Sequence, residues 1–430
     1  MSALPVEYGI IEGVEDISQY RLGRYHPVHI DDRLNNRYRV VQKLGHGSFS
    51  TVWLAIDEQT TKYVAIKVGT SDANRREIDI VSQITQGAVM DNMRTDQKLL
   101  FPTILDRFEI LGPNGTHPCL VTSPARCNLR DSQDAGKLGF FQLDVARSFA
   151  AQLVIALSIV HERGFAHGDL HLGNLFLQMP SSFDSLSVEQ LYACYGEPDK
   201  EPVVCLDSEA ASTHPSVPSY AVYPARLAVP SNSIELGEAK LILSDFGVAF
   251  RPDEKSQYIS HALAVMRPPE SQFEPEAPLT FASDIWSLAC AIFEILSHRT
   301  LFDGYYITRE NYITAQQVCL QGPMPPAWWG RWEGRLKWFD EEGRPTTISS
   351  DFWTWEGRVG EWVRDSRQKW GMGTFAEDEM DALIKLLRCM LSWKPSDRPD
   401  ISKVLQSEWM TKWALPAYRK GLEEHVPCSN

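Results

Sequence analysis

The sequence lacks the features that would direct it to a membrane or to secretion. Residues 1–9 have neither a basic start nor an apolar run, so no secretory signal is predicted. The longest apolar stretch, residues 149–160, is interrupted by Gln152 and is too short to span a bilayer. We therefore expect an intracellular protein without a membrane partner.

The chain also lacks paired cysteines and an excess of positive charge. Its eight cysteines show neither paired nor metal-type spacing, which predicts free thiols and no zinc site. The net charge of −14 argues against a nucleic-acid-binding surface and favours a basic peptide as partner, unless the acidity serves solubility alone. At 430 residues and 43% hydrophobic content, the chain is long enough for two or three structural units, or for one two-lobed catalytic domain with additions.

One loop carries a recognisable arrangement of catalytic residue types. The sequence HGDLHLGN at residues 167–174 places Asp169 five residues before Asn174, between two apolar runs. This is the layout of a phosphotransfer loop, in which the Asp accepts the proton of the acceptor hydroxyl and the Asn holds a magnesium ion. An Asp and an Asn in such a loop could also simply cap a turn, so the motif needs partners.

A glycine-containing hairpin precedes this loop in the chain. Predicted strands at residues 38–44 and 51–56 flank Gly45 and Gly47, which lack the Cβ that would keep backbone amides away from a triphosphate. An ordinary hairpin turn needs the same residues, which leaves that interpretation open.

A third predicted strand ends at Lys67, from which an ammonium group reaches the α- and β-phosphates of a nucleotide. Such a lysine needs a carboxylate to hold it. Glu77 follows ten residues later on a predicted helix, and we favour it over Asp79 as the partner. A solvated acidic helix face is the alternative explanation for both carboxylates.

The composition changes abruptly after the catalytic loop. Residues 178–238 contain seven prolines, ten serines, nine acidic residues and two basic residues, so about half of the net charge lies in this segment. We expect it to bury little surface and to be a mobile insertion. A predicted strand then leads to Asp245-Phe246-Gly247, which would supply a second magnesium ligand, Asp245.

Three further residues are expected to stabilise the larger lobe. Asp284 would accept hydrogen bonds from the backbone of the catalytic loop. Glu270 would pair with Arg398, and breaking a buried pair of this kind costs about 3–5 kcal/mol.

With these motifs in order, the chain resembles the eukaryotic protein kinases over nearly its whole length. More narrowly, it resembles a divergent, fungal-type member of the SR protein kinases. The narrower match rests on the extension around Tyr20 and Tyr25, on the Phe-Ser-Thr-Val-Trp run at residues 49–53, and on the position of the insertion.

The resemblance implies a fold class and a division of the chain. The fold would be α+β and bilobal, with a small antiparallel-sheet N-lobe and a mainly helical C-lobe. The expected segments are an extension packed on the N-lobe (1–36), the N-lobe (37–122), a hinge (123–126), the C-lobe (127–413) that contains the insertion (178–238), and a C-terminal tail (414–430). For residues 1–36, the sequence pattern alone fits a free tail as well as it fits an ordered extension.

The resemblance also implies an activity, a nucleotide and a set of site residues. The protein would be a monomeric serine/threonine kinase of the cytoplasm and nucleus that uses ATP and Mg²⁺ to phosphorylate basic Arg/Ser-rich proteins in mRNA processing. It would bind neither nucleic acid nor membrane. The catalytic residues would be Asp169, Lys67, Asn174 and His171, and Asn174 and Asp245 would hold the metal. The nucleotide would contact Leu44, Gly45, Gly47, Val52, Ala65, Lys67, Glu77, Thr122, Ser123, Ala125 and Asp245.

Three positions depart from the usual kinase pattern. Gly168 stands where most protein kinases have an arginine, which implies activity that does not await phosphorylation of the activation segment. His171 replaces a lysine that steadies the transferred phosphate, and Leu263 replaces its threonine partner. These changes leave a nucleotide-binding pseudokinase as an alternative. The loop alone also resembles that of aminoglycoside phosphotransferases, which leaves a small-molecule kinase as a third.

Overall fold

A computed structural model describes most of the 430-residue chain. The described residues are 7–73, 76–85, 94–206, 215–254, 256–303, 310–346 and 354–424. The chain forms two compact units. The first comprises residues 1–82, 102–126 and 178–227, and the second comprises residues 83–101, 127–177 and 228–430.

The first unit is built on an antiparallel sheet. Among the described residues the strands of the chain are β1 (Arg33–Leu34), β2 (Tyr38–Gly47), β3 (Ser50–Asp57), β4 (Lys62–Gly69), β5 (Ile104–Gly112), β6 (Gly115–Thr122), β7 (Ala125–Asn128), β8 (Leu175–Gln178), β9 (Lys200–Pro202), β10 (Tyr220–Val222) and β11 (Leu241–Leu243). The first six form one sheet in the order β1-β2-β3-β4-β6-β5. Val40, Trp53 and Ile66 lie on neighbouring strands and belong to one buried cluster. Trp53 and Ile66 are paired across β3 and β4, and Val40 is paired with Ala55, two residues from Trp53, so all face the same side of the sheet.

Helices dominate the second unit. In the described part of the chain the helices are α1 (Arg76–Thr85), α2 (Thr95–Lys98), α3 (Leu129–Ala135), α4 (Leu143–Glu162), α5 (Val188–Tyr195), α6 (Glu270–Phe273), α7 (Phe281–Leu296), α8 (Glu310–Gln321), α9 (Pro326–Arg331), α10 (Trp355–Val359), α11 (Ser366–Trp370), α12 (Glu377–Met390), α13 (Ile401–Leu405) and α14 (Leu415–Glu424). Helix α7 begins with a capping box, in which Thr280 and Ser283 bond each other's backbone N–H groups and so satisfy two donors.

Helix α4 is the central helix of the second unit. By length and composition alone this helix could cross a membrane, but 89% of its 18-residue apolar stretch is buried inside the protein. Gln152, which interrupts its apolar run, is also satisfied internally. The Gln152 amide donates to the carbonyl of Ala239 at 2.6 Å and accepts from the Leu241 amide at 2.8 Å. These contacts are those of a core helix.

The insertion differs from the sequence-based expectation. Helix α5 belongs to the first unit, where Leu191 and Phe183 are buried in one cluster with Val41. The Tyr192 hydroxyl donates to the Val41 carbonyl at 2.9 Å. The expectation that residues 178–238 bury little is therefore wrong for the described part of the segment. Its prolines and acidic residues lie between apolar residues that pack, and average composition conceals that arrangement.

The two ends of the described chain are also packed. Val14, Ile17 and Tyr20 of the N-terminal extension are buried in a cluster of the first unit, so the described residues of this segment form an ordered extension rather than a free tail. Residues 415–424, predicted as part of a tail, instead form helix α14, which contacts α4. The lobe and hinge boundaries themselves stay predictions.

Burial of the insertion can be tested with Leu191→Ala. Leu191 is 2% exposed, so its truncation should lower the free energy of unfolding by about 2–5 kcal/mol in urea denaturation. Cys194→Ala, on an exposed position of the same helix, should change it by about 0.5 kcal/mol or less. Equal effects from the two substitutions would show that the helix does not pack on the first unit.

Candidate active site

In the first unit, Lys67 is held by Glu77. Strand β4 carries Lys67. Helix α1 presents Glu77 from the same face that buries Ile80 and Ile84, because residues three and seven positions apart share one side of a helix. The Lys67 ammonium lies 2.7 Å from each carboxylate oxygen of Glu77, while Asp79 is exposed. The predicted pair is thus present, and the choice of Glu77 over Asp79 is confirmed.

The glycine hairpin leaves space above its backbone. Gly45 pairs with Val52 and Gly47 with Ser50, so the two strands run together up to a two-residue tip. A Cβ built on either glycine would meet no protein atom within 4 Å. No packing in the described protein therefore requires these glycines, and the open space fits an approaching phosphate group.

The other predicted nucleotide contacts lie along the same sheet. Ala65 is buried and pairs with Thr122, while Val52 is half-buried. Leu44 packs against the cluster that contains the insertion helix. These positions offer an apolar surface, and their contact with a nucleotide stays a prediction.

The predicted hinge uses its backbone selectively. The Ser123 amide donates to the Thr103 carbonyl at 3.2 Å, so this N–H is engaged within the protein. Contact of Ser123 with adenine stays a prediction. Pro124 has no N–H to satisfy. Ala125 begins strand β7 and is half-buried.

In the second unit, Asp284 fixes the catalytic loop. Its carboxylate accepts the His167 amide at 2.7 Å and the Gly168 amide at 2.9 Å, as predicted from the sequence. The His161 imidazole lies 2.9 Å from the same carboxylate. Burial alone would raise the pKa of Asp284, but the bonds from His161 and the loop amides lower it, so the carboxylate remains charged.

Asp169 and Asn174 lie together at the centre of this loop. The Asn174 side-chain amide donates to the Asp169 backbone carbonyl at 2.9 Å and lies 3.4 Å from Oδ2 of its carboxylate. The other carboxylate oxygen, Oδ1, is shielded from solvent and has no hydrogen-bond partner among the described residues. A buried oxygen without a donor is costly. The Asp169 side chain as a whole remains 22% exposed, so an acceptor hydroxyl can still reach the carboxylate.

His171 faces Asp169 in one tautomer. The Gly173 amide donates to Nδ1 of His171 at 3.0 Å, so Nδ1 carries no proton and Nε2 carries it in the neutral ring. Nε2 lies 3.6 Å from Oδ2 of Asp169. A Cβ at position 173 would sit 2.7 Å from the imidazole, so only glycine leaves room for this arrangement. His171 therefore presents a neutral N–H donor where the usual lysine presents a positive charge.

Asp245 lies two residues after strand β11, whose partner strand β8 directly follows the catalytic loop. Strand β11 pairs antiparallel with β8, and the Ser244 amide donates to the Asn174 carbonyl at 3.0 Å. Asp245 itself adopts a left-handed backbone with φ of 62°, which non-glycine residues rarely occupy. Strain of this kind persists where neighbouring contacts enforce it, here the fully buried Phe246 on its C-terminal side.

The residues fit a divalent metal held by oxygen atoms. The Asn174 amide nitrogen is engaged by Asp169, which leaves the amide oxygen as its ligand atom. Asp245 contributes a carboxylate. Amide and carboxylate oxygens are the ligands that Mg²⁺ prefers, and Asn174 and Asp245 would hold it.

Sequence reasoning missed two residues that support the loop. His167 is fully buried, bonds the Ser244 carbonyl through Nε2 at 3.1 Å, and lies against the Phe246 ring at 4.9 Å. Burial lowers its pKa, so it stays neutral. His161 bonds Asp284 from the last turn of α4. A histidine on a helix gives no sequence signal for such a bond, whereas His167 is the first residue of the HGDLHLGN motif.

The departures from the usual kinase pattern have structural correlates. Gly168 has φ of +82°, a backbone conformation that side chains with a Cβ rarely adopt, so an arginine there would be strained. Leu263 is 47% exposed and is not among the buried residues of the second unit.

The Glu270–Arg398 pair anchors the segment that follows. Two guanidinium nitrogens of Arg398 bond the two carboxylate oxygens of Glu270 at 2.8 and 2.6 Å. Arg398 also donates to the backbone carbonyls of Ser392, Trp393 and Ala282. The predicted pair is confirmed.

These parts define a phosphotransferase with the elements of a protein kinase. The family model described as "Protein kinase domain" matches residues 38–184 and 230–410, and the chain therefore belongs to the protein kinase domain family. It is an enzyme of that class, and the predicted resemblance and α+β fold class are confirmed.

Individual proteins give the narrower likeness. The chain is 27% identical to "Serine/threonine-protein kinase SRPK" of Physarum polycephalum over 93% of this chain and 91% of that protein. It is 33% identical to "SRSF protein kinase 3" of Homo sapiens, over 39% of this chain and 30% of that protein. A crystal structure of a kinase domain superimposes with a TM-score of 0.59 at 16% identity, covering 90% of this chain and 99% of that one, and shows the likeness of fold.

The structural weight of the Arg398 pair can be measured with Arg398→Met. Its loss leaves Glu270 buried without a counter-charge, so the free energy of unfolding should fall by about 3–5 kcal/mol. Arg388→Met, which removes an exposed pair with Glu356, should cost about 1 kcal/mol or less. Comparable losses in urea denaturation would contradict a buried structural role for the Arg398 pair.

Proposed function

We propose that the protein is a magnesium- and ATP-dependent serine/threonine kinase of the SR-protein-kinase type, which phosphorylates serines in basic Arg/Ser-rich proteins. The observation that carries the catalytic part is the partly exposed carboxylate of Asp169, whose Oδ2 lies 3.4 Å from the Asn174 amide nitrogen and 3.6 Å from Nε2 of His171.

The residues have distinct parts in the transfer. Asp169 accepts the proton of the substrate serine hydroxyl. The serine oxygen forms a bond to the γ-phosphorus while the bond from that phosphorus to the ADP oxygen breaks. Lys67, oriented by Glu77, neutralises charge on the α- and β-phosphates. The metal, when bound, offsets the negative charge of the phosphates.

The basic substrate is supported by charge and by the relatives. The chain carries a net charge of −14, which favours association with a positively charged peptide. Its relatives include proteins named SRPK and SRSF protein kinase 3. An acidic docking groove near residues 303–310 was not evident from the sequence, and residues 304–309 lie outside the described part of the chain. A role in mRNA processing, a monomeric state, and a cytoplasmic and nuclear location belong to the same proposal.

Buried Asp284 and the separate buried pair of Glu270 with Arg398 favour a protein substrate over a small molecule, since the sequence predicts these residues for a protein-kinase large lobe. The pseudokinase alternative is motivated by His171 and by the exposed Leu263. It becomes an outcome of the test below.

The catalytic assignment is tested with Asp169→Asn. The substitution keeps the shape but removes the base, so transfer from labelled ATP to an Arg/Ser peptide should fall by about 10²–10⁴-fold, with nucleotide affinity nearly unchanged. Asp381→Asn, on an exposed position of α12, serves as the matched control and should retain full activity.

Two results would contradict this proposal. Equal labelling by the wild type and Asp169→Asn would remove Asp169 from catalysis. Wild-type protein that binds Mg-ATP but labels no acceptor would identify a pseudokinase. Replacing the arginines of the peptide with alanine tests the substrate class separately, and undiminished labelling would exclude recognition of basic sequence.

The role of His171 makes a further prediction. His171→Leu removes the Nε2–H donor and should lower kcat by about 100-fold, with little change in the KM for ATP. His171→Gln keeps an N–H donor of similar reach and should recover most of the activity. If leucine and glutamine give the same kcat, the donor does not take part in transfer.

A further inference from the structure

The tip of the glycine hairpin is held from one side by groups outside the hairpin. The carbonyl of Gly47 accepts the Tyr25 hydroxyl at 2.7 Å, and the carbonyl of Ser48 accepts the Arg24 guanidinium at 3.3 Å. The carbonyl of Phe49 accepts the Thr70 amide at 2.9 Å. Three consecutive carbonyls are therefore bonded, that of Gly47 and those of the two tip residues. The N-terminal extension supplies two of the three donors.

The extension is itself firmly anchored where it reaches the tip. The backbone carbonyl of Tyr25 accepts the Asn114 side chain at 2.7 Å, and that of Arg24 accepts the Ser71 amide at 3.1 Å. The Arg24 guanidinium also bonds Asp72 at 3.1 Å and lies 5.5 Å from the centre of the Phe49 ring. Tyr25 and Arg24 thus act from a fixed support rather than from a free chain end.

A second anchor lies earlier in the extension. Glu15 pairs with Lys43 of strand β2, two residues before Gly45. Glu15 also accepts the Tyr20 hydroxyl. Glu15 and Lys43 are 4% and 0% exposed. Removing either partner of such a pair leaves a buried charge, so the pair favours one position of the extension over others.

Fixing the carbonyls also fixes the amides of the tip. In a planar trans peptide the N–H of one residue points opposite to the C=O of the residue before it. The Ser48 and Phe49 N–H groups are therefore directed away from the donors that hold Gly47 and Ser48. In the described parts of the chain, no group accepts a hydrogen bond from either N–H.

We propose that the N-terminal extension, through Tyr25 and Arg24, is a positioning device that orients the Ser48 and Phe49 amides as donors to the terminal phosphates of the nucleotide. Tyr25 and Arg24 touch neither substrate nor metal in this account. They act through the hairpin backbone, which is exposed at Ser48 and Phe49 and would otherwise be mobile.

This inference rests on the proposed function, since ATP is taken as the nucleotide. It predicts a selective loss: weakening the support should reduce affinity for the phosphates and leave affinity for the nucleoside unchanged. A merely structural role for the extension would weaken both.

The test compares two Tyr→Phe variants of the full-length protein. Tyr25→Phe removes the hydroxyl that bonds Gly47. Tyr223 packs against the same buried cluster as Tyr25, and Tyr223→Phe removes a surface hydroxyl that bonds Glu201. Isothermal titration measures the Kd for Mg-ATP and for adenosine. For Tyr25→Phe we expect about fivefold weaker Mg-ATP binding and unchanged adenosine binding, the effect of one hydrogen bond. Tyr223→Phe should bind both ligands as the wild type does.

A second variant guards against loss of folding. Arg24→Lys keeps a positive charge near Asp72 but removes the guanidinium that reaches the Ser48 carbonyl, and it should show the same selective loss. Thermal unfolding of all variants verifies that each is folded.

The remaining outcomes are decisive. Equal weakening of Mg-ATP and adenosine, or no weakening of either, would overturn the positioning role. A wild type that binds Mg-ATP no more tightly than adenosine would contradict both this inference and nucleotide binding in the proposed function. If Tyr25→Phe shows the selective loss but the wild-type protein phosphorylates no acceptor, the proposed function alone would be contradicted.

Discussion

The catalytic loop depends on one buried carboxylate. Asp284 is 2% exposed and accepts bonds from two consecutive loop amides and from His161. A buried charge is stable only with such partners, so another path of the loop would deprive the carboxylate of two of its three donors. The backbone before Asp169 therefore has a fixed course, and the direction of the catalytic carboxylate follows from it.

The chemistry is arranged around that fixed course by a few short contacts. Asn174 bonds the Asp169 carbonyl, the Ser244 amide bonds the Asn174 carbonyl, and His167 bonds the Ser244 carbonyl. Each bond joins the catalytic loop to itself or to the segment that carries Asp245. Because the ring of residues closes, displacement of one member disturbs the others, and the strained backbone of Asp245 is held within it.

The sequence predicted those parts of the site that depend on residue type and spacing. The Lys67–Glu77 pair is present, as its residue types and ten-residue spacing predict. The bonds of Asp284 and the pair of Glu270 with Arg398 are also present, and these were expected from the residue types of the motifs that contain them. The α+β class was implied by the resemblance to the protein kinases that these motifs carry.

Other features depend on packing that composition cannot reveal. The insertion is rich in proline and acidic residues, yet Phe183 and Leu191 bury it on the first unit. The tautomer of His171 is set by the backbone of Gly173, and the support of the glycine tip by two residues of a distant extension. Contacts to backbone groups leave little trace in a sequence, because almost any residue supplies the same carbonyl or amide.

The central claim is that the catalytic loop and the segment after β11 hold a metal-bound nucleotide for transfer. A crystal structure of the protein with Mg²⁺ and a non-hydrolysable ATP analogue tests this most directly. The account predicts that the metal binds the amide oxygen of Asn174 and the carboxylate of Asp245 at about 2.1 Å. A metal and phosphates bound away from both residues would contradict it.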